Sequence, residues 1–192
     1  MIPIGPVLER IQESVDATLP ISDFSLEYAE HAIHWSQVIR YLIFFASIFA
    51  VTFAVCRVGF GLKGKTASLL GTCACSALHG IVCIVGGVEI LFYGHFWHDR
   101  KLDHANTELQ NQMMRYSLAY LLFDTIFSIT DPLFLAHHIL SILYLIAVLQ
   151  IQTGATSATF VFFLGEVTSP IFNSFAALKG MCFSGCSSQF WS

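Results

Sequence analysis

The sequence predicts an all-α, multi-pass transmembrane helical bundle of about five spans, and three observations carry that prediction. The chain of 192 residues is 55% hydrophobic and only 11% charged, with a mean hydropathy of +0.67. Soluble domains carry roughly 25% charged residues, so this chain lacks the charge to dress an ordinary water-facing surface. Its apolar residues are also gathered into blocks of about 20, the length a helix needs to cross a hydrocarbon core about 30 Å thick. Finally, the blocks show no apolar–polar alternation, which removes a transmembrane β-barrel. Helices remain, because an open sheet edge in lipid would leave backbone donors and acceptors without partners.

Taken in order, residues 1–35 form a polar, interfacial N-terminal segment. Pro3, Pro6, Pro20 and scattered acids leave no apolar core of signal-peptide type, so the first span is expected to serve as the insertion signal. A short amphipathic helix is predicted over 25–35, anchored at the interface by Trp35. His31 and His34, one turn apart, read as a wet interfacial face. The membrane domain covers 36–175. The first span, 36–56, carries only Arg40, and the second, 67–93, only Glu89. The third, 114–130, has Arg115 at its edge and Asp124 inside. The fourth, 133–152, has no formal charge, and the fifth, 155–175, has Glu166 alone. Arg40 and Arg115 are expected to snorkel to the interface, and Glu89 to reach it from its helix end. Residues 176–192 form a short polar tail.

The loop after the first span holds Arg57, Lys63 and Lys65 without an acid. The second loop, 94–113, sets Arg100 and Lys101 against Asp99, Asp103 and Glu108. This bias places the 57–66 loop in the cytosol and the N-terminus on the exoplasmic side. Cys56, Cys73, Cys75 and Cys83 fall within spans, where a thiol behaves as a small apolar group. Cys182 and Cys186 lack partners for a zinc site. With a net charge of −4, no nucleotide-binding glycine loop and no basic patch, nucleic-acid binding is excluded as a function class.

Ionisable groups inside spans are rare and costly, so each is a functional hypothesis. They are His79 on the second span, Asp124 on the third, His137 and His138 on the fourth, and Glu166 on the fifth. The cheapest arrangement points them at one another or at a shared pocket. Adjacent helical residues diverge by about 100°, so His137 and His138 cannot face the same way. Ser141, one turn on, extends the polar stripe. Beyond Glu166, Ser169 adds a hydroxyl and Pro170 removes a backbone donor, which predicts a kinked helix with polar lining. The competing reading is that these groups only join helices by hydrogen bonds. The small residues of "GTCACSA" (71–77) predict close helix packing. No metal site is expected: "HFWHD" (95–99) and "AHHIL" (136–140) have histidines, but the repeated boxes of a membrane di-iron centre are missing.

The succession "SALHG", "SLAYLLFDTIF", "AHHILSI" and "LGEVTSPIFNS" resembles the TLC-domain family over residues 36–175. That family includes ceramide synthases and the translocating-chain-associated membrane proteins. The resemblance implies a bundle in the endoplasmic reticulum or another endomembrane, acting in membrane lipid homeostasis through a polar intramembrane pocket. In the ceramide synthases a histidine pair belongs to the active region, which carries over onto His137 and His138 as the catalytic candidates. His79, Asp124, Ser141, Glu166 and Ser169 are then the pocket-lining set. The synthases' aspartate-rich stretch has no counterpart here, and the family core commonly has at least six spans. The chain therefore reads as a C-terminally shortened form. The alternative activity is an acyl-CoA-dependent N-acyltransferase of ceramide synthase type, with acyl-CoA as co-substrate and otherwise no cofactor. A third reading is a structural or chaperone-like membrane component. Membrane lipids are the expected partners, and homo-oligomerisation is compatible with each reading.

Overall fold

The computed structural model describes residues 33–93, 105–171, 173–175 and 177–178, together with residue 10. The expectations for the interfacial helix before Ile33, for the histidines of the second loop and for Cys182 and Cys186 lie outside the described residues. Within them the chain is an all-α bundle. Its helices are α1 (Trp35–Ala54), α2 (Gly64–Val88), α3 (Glu108–Ser128), α4 (Pro132–Ile151) and α5 (Ala155–Glu166). Helices α1 and α2 each end in a five-residue π turn, Val55–Gly59 and Glu89–Tyr93. The span of α5 runs on to Phe175.

Four of the five helices are long and apolar enough to cross a membrane, the property of an integral membrane protein. The exception is α3, for a physical reason. It packs against all four of the others, and nearly every residue from Gln110 to Leu121 is buried. A helix surrounded by protein need not be greasy, because its polar groups find partners on its neighbours. The outer helices instead expose Val51, Ile81, Leu140, Leu143, Ile151 and Leu164.

Local signals explain the helix ends. Thr107 and Gln110 form a reciprocal cap, with Gln110 N–H donating to Thr107 Oγ1 (3.3 Å) and Thr107 N–H to Gln110 Oε1 (2.8 Å). Residues 108–113, expected in the second loop, are therefore helical. Asp131 Oδ1 accepts from the backbone N–H groups of Leu133 and Phe134 (3.0 and 3.3 Å), and Pro132 occupies the first helical position. Between α4 and α5 the chain turns in residues 152–154, where Gly154 has φ +87°, a conformation that suits glycine.

Arg115 corrects another expectation. It does not snorkel: it is only 2% exposed and donates from Nη1 to Gln37 Oε1 (2.8 Å) and Glu108 Oε1 (2.7 Å). Gln37 and Glu108, the latter exposed at the start of α3, take the place of water around the buried guanidinium. The core beside it is aromatic, with Phe45 centred 5.1 Å from Tyr116 and 5.4 Å from Tyr120. The small-residue stretch on α2 does allow close approach. A Cβ on Gly71 would lie 2.7 Å from the Phe49 ring, and Cys75 Sγ donates to Phe45 O at 3.4 Å.

One end of the bundle is tied by amides. Asn106 Nδ2 donates to Asn111 Oδ1 and Val148 O (both 3.1 Å), while Ala155 N–H donates to Asn106 Oδ1 (3.0 Å). Asn111 Nδ2 donates to Gln152 Oε1 (2.8 Å), and Gln110 Nε2 to Thr156 Oγ1 (2.9 Å). The start of α3, the end of α4 and the start of α5 are thus joined. Helices α4 and α5 share little packing with each other, and α4 scarcely meets α2.

Candidate functional site

The space left there is a cleft of about 580 Å³ among α2, α3, α4 and α5. Asp124, His137, His138, Ser141, Glu166 and Ser169 all line it. Leu69, Phe134, Val161 and Phe162 supply apolar wall. The intramembrane ionisable groups converge, as the cost of separate polar groups in lipid requires.

The two histidines of the pair part company. His138 is buried, and His137 is exposed at the rim. Their rings meet edge to face, centroids 5.7 Å apart and planes at 79°. His138 Nδ1 lies 2.7 Å from Phe134 O, and Nε2 lies 3.0 Å from Asp124 Oδ2. Both ring nitrogens therefore face acceptors. Two contacts of this length need a proton in each, since a lone pair facing a lone pair would repel. Nδ1–H donates to Phe134 O, and a second proton lies between Nε2 and Oδ2. Wherever that proton sits, the pair is neutral overall. The i−4 carbonyl of its own helix orients the ring, and Asp124 on α3 completes the grip.

His79 stands behind the cleft wall and is not part of it. It is 0% exposed, with its ring parallel to Tyr120 at 4.0 Å and 13°. Nε2 lies 3.1 Å from Ser117 Oγ and 3.3 Å from Cys83 Sγ. Nδ1 lies 3.4 Å from Glu166 Oε1, close enough for an ion pair but not aligned as a hydrogen bond. Glu166 Oε2 is buried without a hydrogen bond. The carboxylate fits only because α2 has glycine opposite, where a Cβ on Gly80 would lie 3.0 Å from Oε2. His79, expected among the lining residues, touches the lining residue Glu166 rather than the space itself.

The predicted kink is present. Helical geometry lapses at residues 167–168 and resumes at 169. Beyond it, Asn173 Nδ2 donates to Ser76 Oγ (2.7 Å), closing the cleft between α5 and α2. Among the described residues no three His, Cys, Asp or Glu side chains are placed to hold a metal ion. The chain matches no family model, and no solved structure matches it.

Sequence reasoning passed over Ser117, Tyr120, Gly80 and Asn173, all of which shape the site. The i, i+4 spacing of Tyr116 and Tyr120 was a signal for a shared helix face, and both rings flank His79. Cys83 was read only as a small apolar residue, yet its sulfur is within hydrogen-bonding distance of His79.

Proposed function

We propose that this chain is a TLC-type integral membrane protein of the endoplasmic reticulum or a neighbouring endomembrane. It acts in membrane lipid homeostasis by accepting a lipid head group in the α2–α5 cleft. The observation that carries the reading is the cleft itself: apolar wall around the His138–Asp124 contact and the Glu166 carboxyl, in a bundle whose outer faces are apolar. Polar groups that served only to join helices would be expected to close on one another and leave no space. The four motifs that resemble the TLC domain supply the link to lipid homeostasis.

The His138–Asp124 contact favours a second reading, acyl-CoA-dependent acyl transfer to a lipid amine or hydroxyl. A carboxylate that orients an imidazole is part of a general-base arrangement. Here, however, both nitrogens of His138 are engaged. The base in such a reaction would be His137 at the rim, with His138 and Asp124 fixing the helix face that presents it.

Lipid profiling of cells lacking the protein, rescued with wild type or with the His137→Ala/His138→Ala double variant, tests the proposal. Restoration by wild type but not by equal amounts of folded variant is the expected result. Equal rescue by both would return the polar residues to a purely structural role. Acyl transfer further requires that purified protein consume acyl-CoA, and that His137→Ala alone abolish the consumption.

A further inference from the structure

Which head group fits can be argued from the cleft's charge balance, and this inference rests on the lipid-cleft reading above. Among the described residues no lysine or arginine lines the cleft. Arg115, the buried arginine, is turned instead to Gln37 and Glu108. A phosphate, which only accepts hydrogen bonds at its anionic oxygens, would find two histidine–carboxylate contacts and, among the described lining residues, no lysine or arginine to balance its charge. An ammonium has the opposite difficulty. The His138–Asp124 pair is neutral by its own proton inventory, and Glu166 faces a buried imidazole at 3.4 Å. An added charge beside neutral pairs in an apolar bundle carries an uncompensated desolvation cost.

We propose that the cleft binds the hydroxyl head of a neutral lipid, seated against Glu166. Glu166 has acceptor capacity to spare: Oε1 faces His79 at 3.4 Å, and Oε2 makes no hydrogen bond. A small rotation of this carboxyl would present an oxygen to the cleft it lines. A hydroxyl donates and accepts, so it satisfies Glu166 whether the carboxyl or His79 holds their proton. Ser141 and Ser169, also on the cleft wall, have the same dual character. Leu69, Phe134, Val161 and Phe162 offer apolar surface to the first part of an acyl chain.

The test uses three photoactivatable lipids with identical acyl chains on glycerol, ending in a hydroxyl, a phosphate or an ammonium group. Each is presented to the full-length protein in phosphatidylcholine nanodiscs, and cross-linked residues are mapped by peptide mass spectrometry. The hydroxyl lipid should label cleft residues of α4 and α5 at least about tenfold more than either charged lipid. Glu166→Leu should reduce that labelling about tenfold, the weight of one hydrogen bond. Glu166→Gln, which keeps a donor and an acceptor, should lose less than Glu166→Leu when both elute as monodisperse protein. Cleft labelling by the phosphate or ammonium lipid at the same level would overturn the head-group assignment while leaving a lipid cleft. Unchanged labelling of Glu166→Leu would overturn the seat at Glu166. Absence of cleft labelling by all three would overturn both the assignment and the lipid-cleft reading.

Discussion

The His138–Asp124 contact joins α3 to α4 by a polar bond beside the cleft, and its strength is measurable. The perturbation is a double-mutant cycle: Asp124→Leu, His138→Leu and both together. Hydrogen bonds between membrane helices average about 0.6 kcal/mol and reach about 1.7 kcal/mol. Bonds to charged groups in proteins generally reach about 1.5–3 kcal/mol. The contact has an ordinary hydrogen-bond length of 3.0 Å, and its side chains are only 6% and 19% exposed, out of reach of competing water. That geometry places it near the top of the membrane range, at about 1.5 kcal/mol, roughly a tenfold change in the folding equilibrium. Each single variant also loses packing and strands its partner, so each should cost about 2–3 kcal/mol. The double variant should then cost about 1.5 kcal/mol less than the two single costs combined. Unfolding in mixed micelles of increasing SDS content, followed by far-ultraviolet circular dichroism, gives all four stabilities. A coupling below about 0.3 kcal/mol, within the scatter of independent sites, would refute the proton-sharing pair.

Two further predictions rest on the same assay. Arg115→Met should destabilise the bundle by about 2–3 kcal/mol, because it removes two bonds from a buried guanidinium; a loss under about 0.5 kcal/mol, typical of a surface change, would restore the snorkelling picture. Two glycines should respond with opposite sign. A Cβ on Gly87 would lie 2.7 Å from Phe163 Cδ2 and 2.8 Å from its Cβ, so Gly87→Ala should cost about 1–3 kcal/mol through overpacking. Gly165 has nothing within 4 Å of its Cβ position, so Gly165→Ala should stabilise by about 0.5–1 kcal/mol through helix propensity; destabilisation there would contradict the open cleft beside it.

Much of this architecture was legible in the sequence, and the failures have identifiable causes. The outer helices announce themselves because lipid is their solvent and hydropathy is what lipid selects. Helix α3 is solvated by the other helices, so hydropathy is a poor guide to it. Its first two turns read as a polar loop because Glu108, Gln110, Asn111 and Arg115 have partners that only the assembled bundle supplies. The cap formed by Thr107 and Gln110 was nonetheless written in the sequence as Thr-x-x-Gln, a local signal that was passed over. The membership of the site was legible from the expense of charge in lipid. Its pairing was not: nothing local specifies that Asp124 takes His138, or that Glu166 approaches His79 from the far side of the cleft. The divergence of adjacent helical residues required His137 and His138 to separate, but only packing decides which one turns inward.

The amide tie at the other end has a mechanical consequence. Asn106 alone reaches α3, α4 and the first backbone N–H of α5, and Asn111 and Gln110 add the second and third stitches. On α4 the cleft residues Phe134, His137, His138 and Ser141 lie in the half away from those stitches, with Tyr144 just past the middle, and on α5 they begin at Val161, more than a turn beyond them. The two helices are therefore built like the legs of a pair of tweezers, riveted at the bend, with each leg tied farther along to a different neighbour: α4 to α3 by His138–Asp124 and α5 to α2 by Asn173–Ser76. Guests of different girth can be admitted by changing the spread of the tips, with the strain falling on a short elastic hinge at residues 152–154. Amide protons near the rivet should then exchange at one slow rate whatever the cleft holds, and those along the legs should keep time with its contents.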